Sequence, residues 1–176
     1  MKLNHNNIKM IISDVDGVWT DGSVYIGKNE VEMKKFSVLD GVGVALAKAA
    51  KLKVVLLSGR FSIATEIRAK ELGISDVFNG FLNKLPIYNE LKQKHKLNDD
   101  QIVYIGDDLI DLPVMQKVAF PVSVSNANQE VNDISVFITK SCGGEGAFRE
   151  VVEWVLTKRG QLKHTISILN KNVKKM

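Results

Sequence analysis

Two acidic clusters carry the chemical interest of this chain. Asp14 and Asp16 stand one residue apart and are followed at once by Gly17; more than ninety positions later comes Gly106-Asp107-Asp108-Leu109-Ile110-Asp111. Each cluster follows a short apolar run, Ile8 to Ile12 and Ile102 to Ile105. Such runs fit strands buried on both faces, and side chains two apart on a strand point the same way. Carboxylates gathered in one place repel unless a shared proton or a cation relieves them. Mg²⁺ is suited to that role, because it takes about six oxygen ligands. A plain surface turn is the competing reading of Asp-x-Asp-Gly taken alone. A second acidic strand end favours one shared metal site instead.

Two further segments belong with these clusters. Ser58-Gly59-Arg60 follows the apolar run Val54 to Leu57, and Lys84 follows Gly80-Phe81-Leu82-Asn83. In that order, Asp14-Val15-Asp16-Gly17, Ser58, Lys84 and Gly106-Asp107-Asp108 with Asp111 resemble the four motifs of the haloacid dehalogenase (HAD) superfamily phosphatases. Within it, Asp16 to Gly22, Phe36 to Gly41 and Gly143 to Glu150 resemble the 3-deoxy-D-manno-octulosonate 8-phosphate (KDO 8-phosphate) phosphatases. The similarity spans about Ile8 to Leu162. Leu39 stands where those enzymes usually carry a basic residue. Another 2-keto sugar acid, such as a sialic-acid-type 9-phosphate, is therefore the alternative substrate. KDO itself serves lipopolysaccharide synthesis, by the same resemblance.

Phosphate monoesters need a positioned nucleophile, an acid for the leaving oxygen and positive charge around phosphorus. Asp14 is the expected nucleophile, forming an aspartyl-phosphate. Asp16 is the expected acid, then base. Asp14 and Asp107 are expected to bind Mg²⁺ through carboxylates, and the resemblance adds the backbone carbonyl of Asp16. Ser58 and the Gly59 amide would donate to phosphoryl oxygens, and Lys84 would balance their charge. Arg60 and Arg68 suit bidentate recognition of a carboxylate or phosphate. By resemblance they join Asp40 and the backbone of Ser37 to Gly41 as substrate contacts. Asp108 and Asp111 are left open between metal, water and loop. Gly143 to Arg149 reads either as a flexible loop over the site or as a helix-entry turn. Cys142 reads as a bystander, and His5, His95 and His164 have no metal-ligand spacing.

Strands are expected at Ile8–Ser13, Lys53–Leu57, Val77–Phe78, Ile102–Ile105, Phe120–Val124 and Val136–Ile138. Ser23–Phe36 alternates about Gly27-Lys28-Asn29-Glu30 and predicts a small β-hairpin. Helices are expected from about Gly41 to Lys51 with Asp40 as cap, after Ser62 to about Leu72, over Lys84–Lys96, through Met115, around Asn126–Val131 and over Glu145–Leu156. Alternating strands and helices predict an α/β, Rossmann-like fold with a mostly parallel sheet between helices. No insert is long enough for a large cap domain.

With 176 residues and an apolar fraction of 45%, the chain reads as one folded domain, 1–162, followed by a basic tail, 163–176. From Lys158 onward there are six Lys or Arg and no Asp or Glu; the remainder holds 18 basic against 20 acidic residues. The body lacks a basic stripe with interleaved aromatics, so nucleic acid is not an expected partner. No apolar run approaches a membrane span, and one cysteine allows no intrachain disulfide. A cytoplasmic enzyme acting on a phosphorylated sugar acid is expected. An uncapped site would be open to water, and by resemblance a homotetramer narrows it, with Arg68 or the tail from Lys163 near an adjacent site. The competing classes are a non-catalytic phosphoryl-binding relative and a response-regulator-like domain.

Overall fold

The computed structural model describes residues 3–173. The main-sheet strands are β1 (Met10–Ser13), β4 (Lys53–Ser58), β5 (Asp76–Asn79), β6 (Ile102–Gly106), β7 (Phe120–Ser123) and β8 (Phe137–Ile138). β2 (Tyr25–Ile26) and β3 (Glu32–Met33) form a separate antiparallel hairpin. The helices are α1 (Val38–Ala49), α2 (Ile63–Glu71), α3 (Lys84–His95), α4 (Leu112–Met115), α5 (Gln129–Ile134), α6 (Ala147–Lys158) and α7 (Leu162–Val173). The six-stranded sheet is parallel throughout, in the order β5-β4-β1-β6-β7-β8. The expected α/β architecture, with its hairpin and no large inserted cap, is what forms.

Strict alternation divides the core. Ile11, Leu56, Val103, Ile105 and Val122 face α1 and α6, where they meet Val44, Ala47, Phe148, Val151 and Val155. Met10, Ile12, Val55, Leu57 and Tyr104 face the opposite layer and meet Tyr88, Leu91, Val114 and Val131. Each fully buried aliphatic side chain contributes roughly 1.5–3 kcal/mol. Both faces of β1 are therefore anchored, and its carboxyl end is held still.

The strand order reverses beside β1: the chain runs outward through β4 and β5, then returns to place β6 on β1's other side. Ligands bind outside the carboxyl ends of the strands at such a switch point. Asp14 ends β1 there, its amide donating to Ile105 O at 2.9 Å, and Asp107 follows β6.

Some boundaries differ from expectation. α1 begins at Val38, and its cap is Ser37, whose hydroxyl accepts from the Leu39 amide at 3.2 Å. Asp40 lies inside the first turn and is fully buried. The segment expected as a basic tail is helical through Val173 and packs on α1 and α6, with Thr165 buried. Its buried or half-buried positions Leu162, Thr165 and Leu169 share one helical face, which its many polar residues obscure in sequence. Among the described residues no helix is long and apolar enough to cross a membrane.

Candidate active site

The site is built outward from β1. Gly17, with φ +85°, turns the chain directly after Asp16. The turn is pinned by the Trp19 amide on Val15 O at 2.8 Å and by Trp19 Nε1 on Ser13 Oγ at 3.0 Å. A side chain at position 17 would place its Cβ 1.9 Å from Asp107 Oδ2. Only glycine lets the second carboxylate come this close to the first turn.

Asp14, Asp107 and Asp111 each offer a carboxylate oxygen within 4.8 Å of the others. They are not equivalent. Asp111 accepts from Lys84 Nζ at 2.7 Å, from Tyr104 Oη at 2.6 Å and from the amides of Asp107 and Asp108 at 3.1 and 3.4 Å. Four donors exhaust its lone-pair directions. It braces the loop and Lys84, which resolves the role left open for it. Asp108 instead caps the following turn, accepting from the Leu109 amide at 2.8 Å. Asp107 Oδ1 is buried with no hydrogen-bond partner, and Asp14 Oδ1 meets Lys84 at 2.8 Å but off the hydrogen-bond direction. Asp107 Oδ1 is thus open to a cation beside Asp14.

The electrostatics agree. Burial raises the carboxyl pKa of Asp14 to about 7, reinforced by Asp111 and opposed by Lys84. Burial likewise raises Asp107 to about 8, reinforced by Asp14 and Asp111. For Lys84, burial works against its charge, but Asp14 and Asp111 outweigh it and raise its pKa. One lysine does not neutralise three close carboxylates, and a divalent ion fits the remaining charge.

A cavity of about 300 Å³ opens over this cluster. Its lining includes Asp14, Asp16, Gly59, Arg60, Asp107 and Asp108. Lys84 stands beneath it, bridging Asp14 and Asp111. Ser58 is buried at the end of β4, its hydroxyl donating to Arg60 O at 2.9 Å. The remaining expected contacts lie apart. Arg68 donates to Ser37 O at 3.1 Å, beside Gly41, and pairs with Glu71 at 2.8 Å. Asp40 accepts from the Arg149 amide at 3.1 Å and ties α1 to α6. Burial raises its pKa to about 6, opposed by that amide and by Arg68. None of Ser37, Asp40, Gly41 and Arg68 lines the cavity within one chain.

The glycine-rich segment is a helix entry, not a loop over the site. A Cβ at Gly143 would fall 1.7 Å from Gly17 O, and the Gly144 amide donates to Val18 O at 3.0 Å. The segment is packed under the Asp14–Gly17 turn and supports it. Sequence reasoning passed over two hairpin residues that contact the cavity lining, Glu32 and Lys34. Glu32 pairs with Arg60 at 2.5 Å and accepts from Ser62 Oγ at 2.6 Å, and Lys34 reaches Asp16 Oδ1 at 2.6 Å. Their i, i+2 spacing puts both on one face, but charged residues so spaced read equally as a solvated face.

Residues 32–150 match the family described as haloacid dehalogenase-like hydrolase. The chain belongs to this family. It is 39% identical over 156 residues to the 3-deoxy-D-manno-octulosonate 8-phosphate phosphatase KdsC of Escherichia coli (strain K12), covering 89% of this chain and 83% of that protein. The crystal structure of the Moraxella catarrhalis 3-deoxy-D-manno-octulosonate 8-phosphate phosphatase, with a magnesium ion, a phosphate ion and a KDO molecule, superposes with a TM-score of 0.89 at 35% identity, covering 93% of this chain and 94% of that one. The cobalt-bound Haemophilus influenzae phosphatase superposes with a TM-score of 0.86 at 35% identity, covering 90% and 92%. The expected superfamily and fold are thus borne out, and this chain is a hydrolase of that family with an acidic cluster fit for a divalent metal.

Proposed function

We propose that this hydrolase is a Mg²⁺-dependent phosphomonoesterase acting on KDO 8-phosphate, releasing KDO and phosphate in the cytoplasm for lipopolysaccharide precursor synthesis. The observation that carries the reading is the meeting of Asp14 and Asp107 at one cavity floor, where burial raises the pKa of both and the buried Asp107 Oδ1 has no hydrogen-bond partner. The 39% identity to KdsC supports the choice of substrate.

Asp14 attacks phosphorus along the cavity axis, and Lys84 holds its carboxylate in place. Asp16 gives its proton to the departing sugar oxygen, then takes one from the water that cleaves the aspartyl-phosphate. Asp14, Asp107 and the Asp16 carbonyl would hold the ion. Mg²⁺, when bound, offsets the charge of the two carboxylates and of the phosphoryl group. The Gly59 amide and Arg60 at the cavity edge bind phosphate and sugar-acid oxygens, with Ser58 donating once its hydroxyl turns from Arg60 O. Arg68, Ser37 and Gly41 lie outside the cavity of a single chain, so their part in substrate binding is read through an adjacent subunit; Asp40, fully buried between α1 and α6, is a structural tie and not the expected substrate contact.

That adjacent subunit is the second half of the proposal. The hairpin and α2 expose Ile26 (75%), Met33 (58%), Ile63 (63%) and Ile67 (64%) beside the opening. Apolar patches of this kind mark association surfaces. A homotetramer would cover them and narrow the uncapped entrance.

The test is a panel of sugar-acid phosphates compared by kcat/KM, with EDTA and Asp14→Asn as controls. KDO 8-phosphate is expected to lead, with phosphate release lost in both controls. A sialic-acid-type 9-phosphate leading the panel would replace the substrate. Phosphate release surviving in Asp14→Asn would overturn the mechanism.

A further inference from the structure

We propose that Lys34, carried by the hairpin, is the positioning residue that holds Asp16 for proton transfer to the leaving oxygen; this rests on the acid–base reading of Asp16 above. The Lys34 side chain is 0% exposed and its Nζ lies 2.6 Å from Asp16 Oδ1. The contact is an ion pair: Lys34 Nζ and both oxygens of Asp16 are buried with no hydrogen-bond partner among the described residues. The Asp16 carboxylate, 24% exposed at the cavity edge, is therefore fixed by one contact alone. A buried ammonium is costly unless paired, so this lysine is not an ordinary solvated one.

The hairpin is built to deliver that amine. Its strands are two residues each, too short to hold a position by backbone pairing alone. Met33 points outward at 58% exposure while Glu32 and Lys34, on the opposite side of the strand, point inward. Glu32 clamps to Arg60 and to Ser62 at the start of α2, and its carboxylate lies 3.9 Å from Lys34 Nζ. The polar face of the hairpin thus docks onto the site, and Lys34 is its point of contact with Asp16.

In the reaction, Lys34 engages Oδ1 and leaves Oδ2 to carry the proton. As the bond from Asp14 to phosphorus forms, the bond from phosphorus to the sugar oxygen breaks, and the Oδ2 proton passes to that oxygen. Lys34 touches none of the reacting atoms. Its effect should depend on how much the leaving group needs a proton. A sugar alkoxide needs one; p-nitrophenolate does not.

The experiment compares kcat/KM for the best sugar phosphate of the panel and for p-nitrophenyl phosphate in the wild type, Lys34→Met, Lys34→Arg, Glu32→Gln and Asp16→Asn. Lys34→Met is expected to lose at least about ten-fold more activity on the sugar phosphate than on p-nitrophenyl phosphate, within the range of a proton-transfer contribution. Lys34→Arg should recover part of that difference. Glu32→Gln, which loosens the hairpin that carries the amine, should show a smaller selective loss in the same direction. Equal losses on the two substrates in Lys34→Met, or no loss, would overturn the proposal. If Asp16→Asn itself showed no leaving-group selectivity, the acid–base reading would fail instead. Should Lys34→Met not fold, Lys34→Gln is read in the same way.

Discussion

Asp107 illustrates how a functional residue can work against the fold that carries it. Without a cation its raised pKa means that the folded state holds a proton which the unfolded chain releases near pH 3.8; the same holds for Asp14. Between about pH 4 and pH 8 the folded state then binds more protons, so stability falls as pH rises. A bound ion removes that penalty by replacing the protons. Mg²⁺ should therefore raise the melting temperature more at pH 8 than at pH 5, and a pH-independent shift would refute this account. Asp107→Asn removes the uncompensated charge: its metal-free melting temperature at pH 8 should rise, while its response to Mg²⁺ disappears. Both are read by thermal denaturation with and without the ion. The acidic residues were legible in sequence because carboxylates at strand ends have few other uses. Lys34 and Glu32 were not, because a charged residue in a two-residue strand has the pattern of a solvated one. Asp40 misled for a different reason: Asp before a helical run suits a cap, and only the packing of α6 shows it buried against the Arg149 amide.

At the level of elements, the turn after β1 and the entry to α6 form one layered support. Gly17→Ala would combine a Cβ 1.9 Å from Asp107 Oδ2 with a left-handed backbone. Displacing a reacting group by about 1 Å can cost on the order of 100-fold, so activity should fall by at least that much. Circular dichroism should show the fold retained, since the clash falls on a side chain. Gly143→Ala meets backbone instead, 1.7 Å from Gly17 O, and should lower the chemical-denaturation midpoint as well as activity. An active, unshifted Gly143→Ala protein would contradict this support role. The strand order could be anticipated because apolar runs alternate with helical periods. The start of α1 could not be, since Ser37 and Asp40 are both good caps and backbone geometry chose between them. Nor could α7, whose apolar stripe is diluted by lysine and asparagine.

For the molecule as a whole, the hairpin presents charge inward and apolar surface outward, the reverse of a lid on a monomer. Ile26→Asp combined with Met33→Asp should shift sedimentation from the proposed tetramer toward a single chain and raise KM for the sugar phosphate. A fully active wild-type monomer would rule out the assembly. Sequence pattern announced an uncapped domain, but which side chains stay wet is a property of the packed structure alone.

The placement of β6 against β1 has a consequence for how the protein comes into being. The two halves of the metal site are 93 positions apart yet sit on neighbouring central strands, in a register pairing Ser13 with Ile105. A nascent chain has no such ion site until β6 has been synthesised and has paired with β1. A slip of β6 by one residue would turn its core side chains to the wrong layer and carry Asp107 off target. Affinity for the ion is thus a gauge of correct sheet assembly, and a refolding protein should regain it only when the last central strand has locked into place.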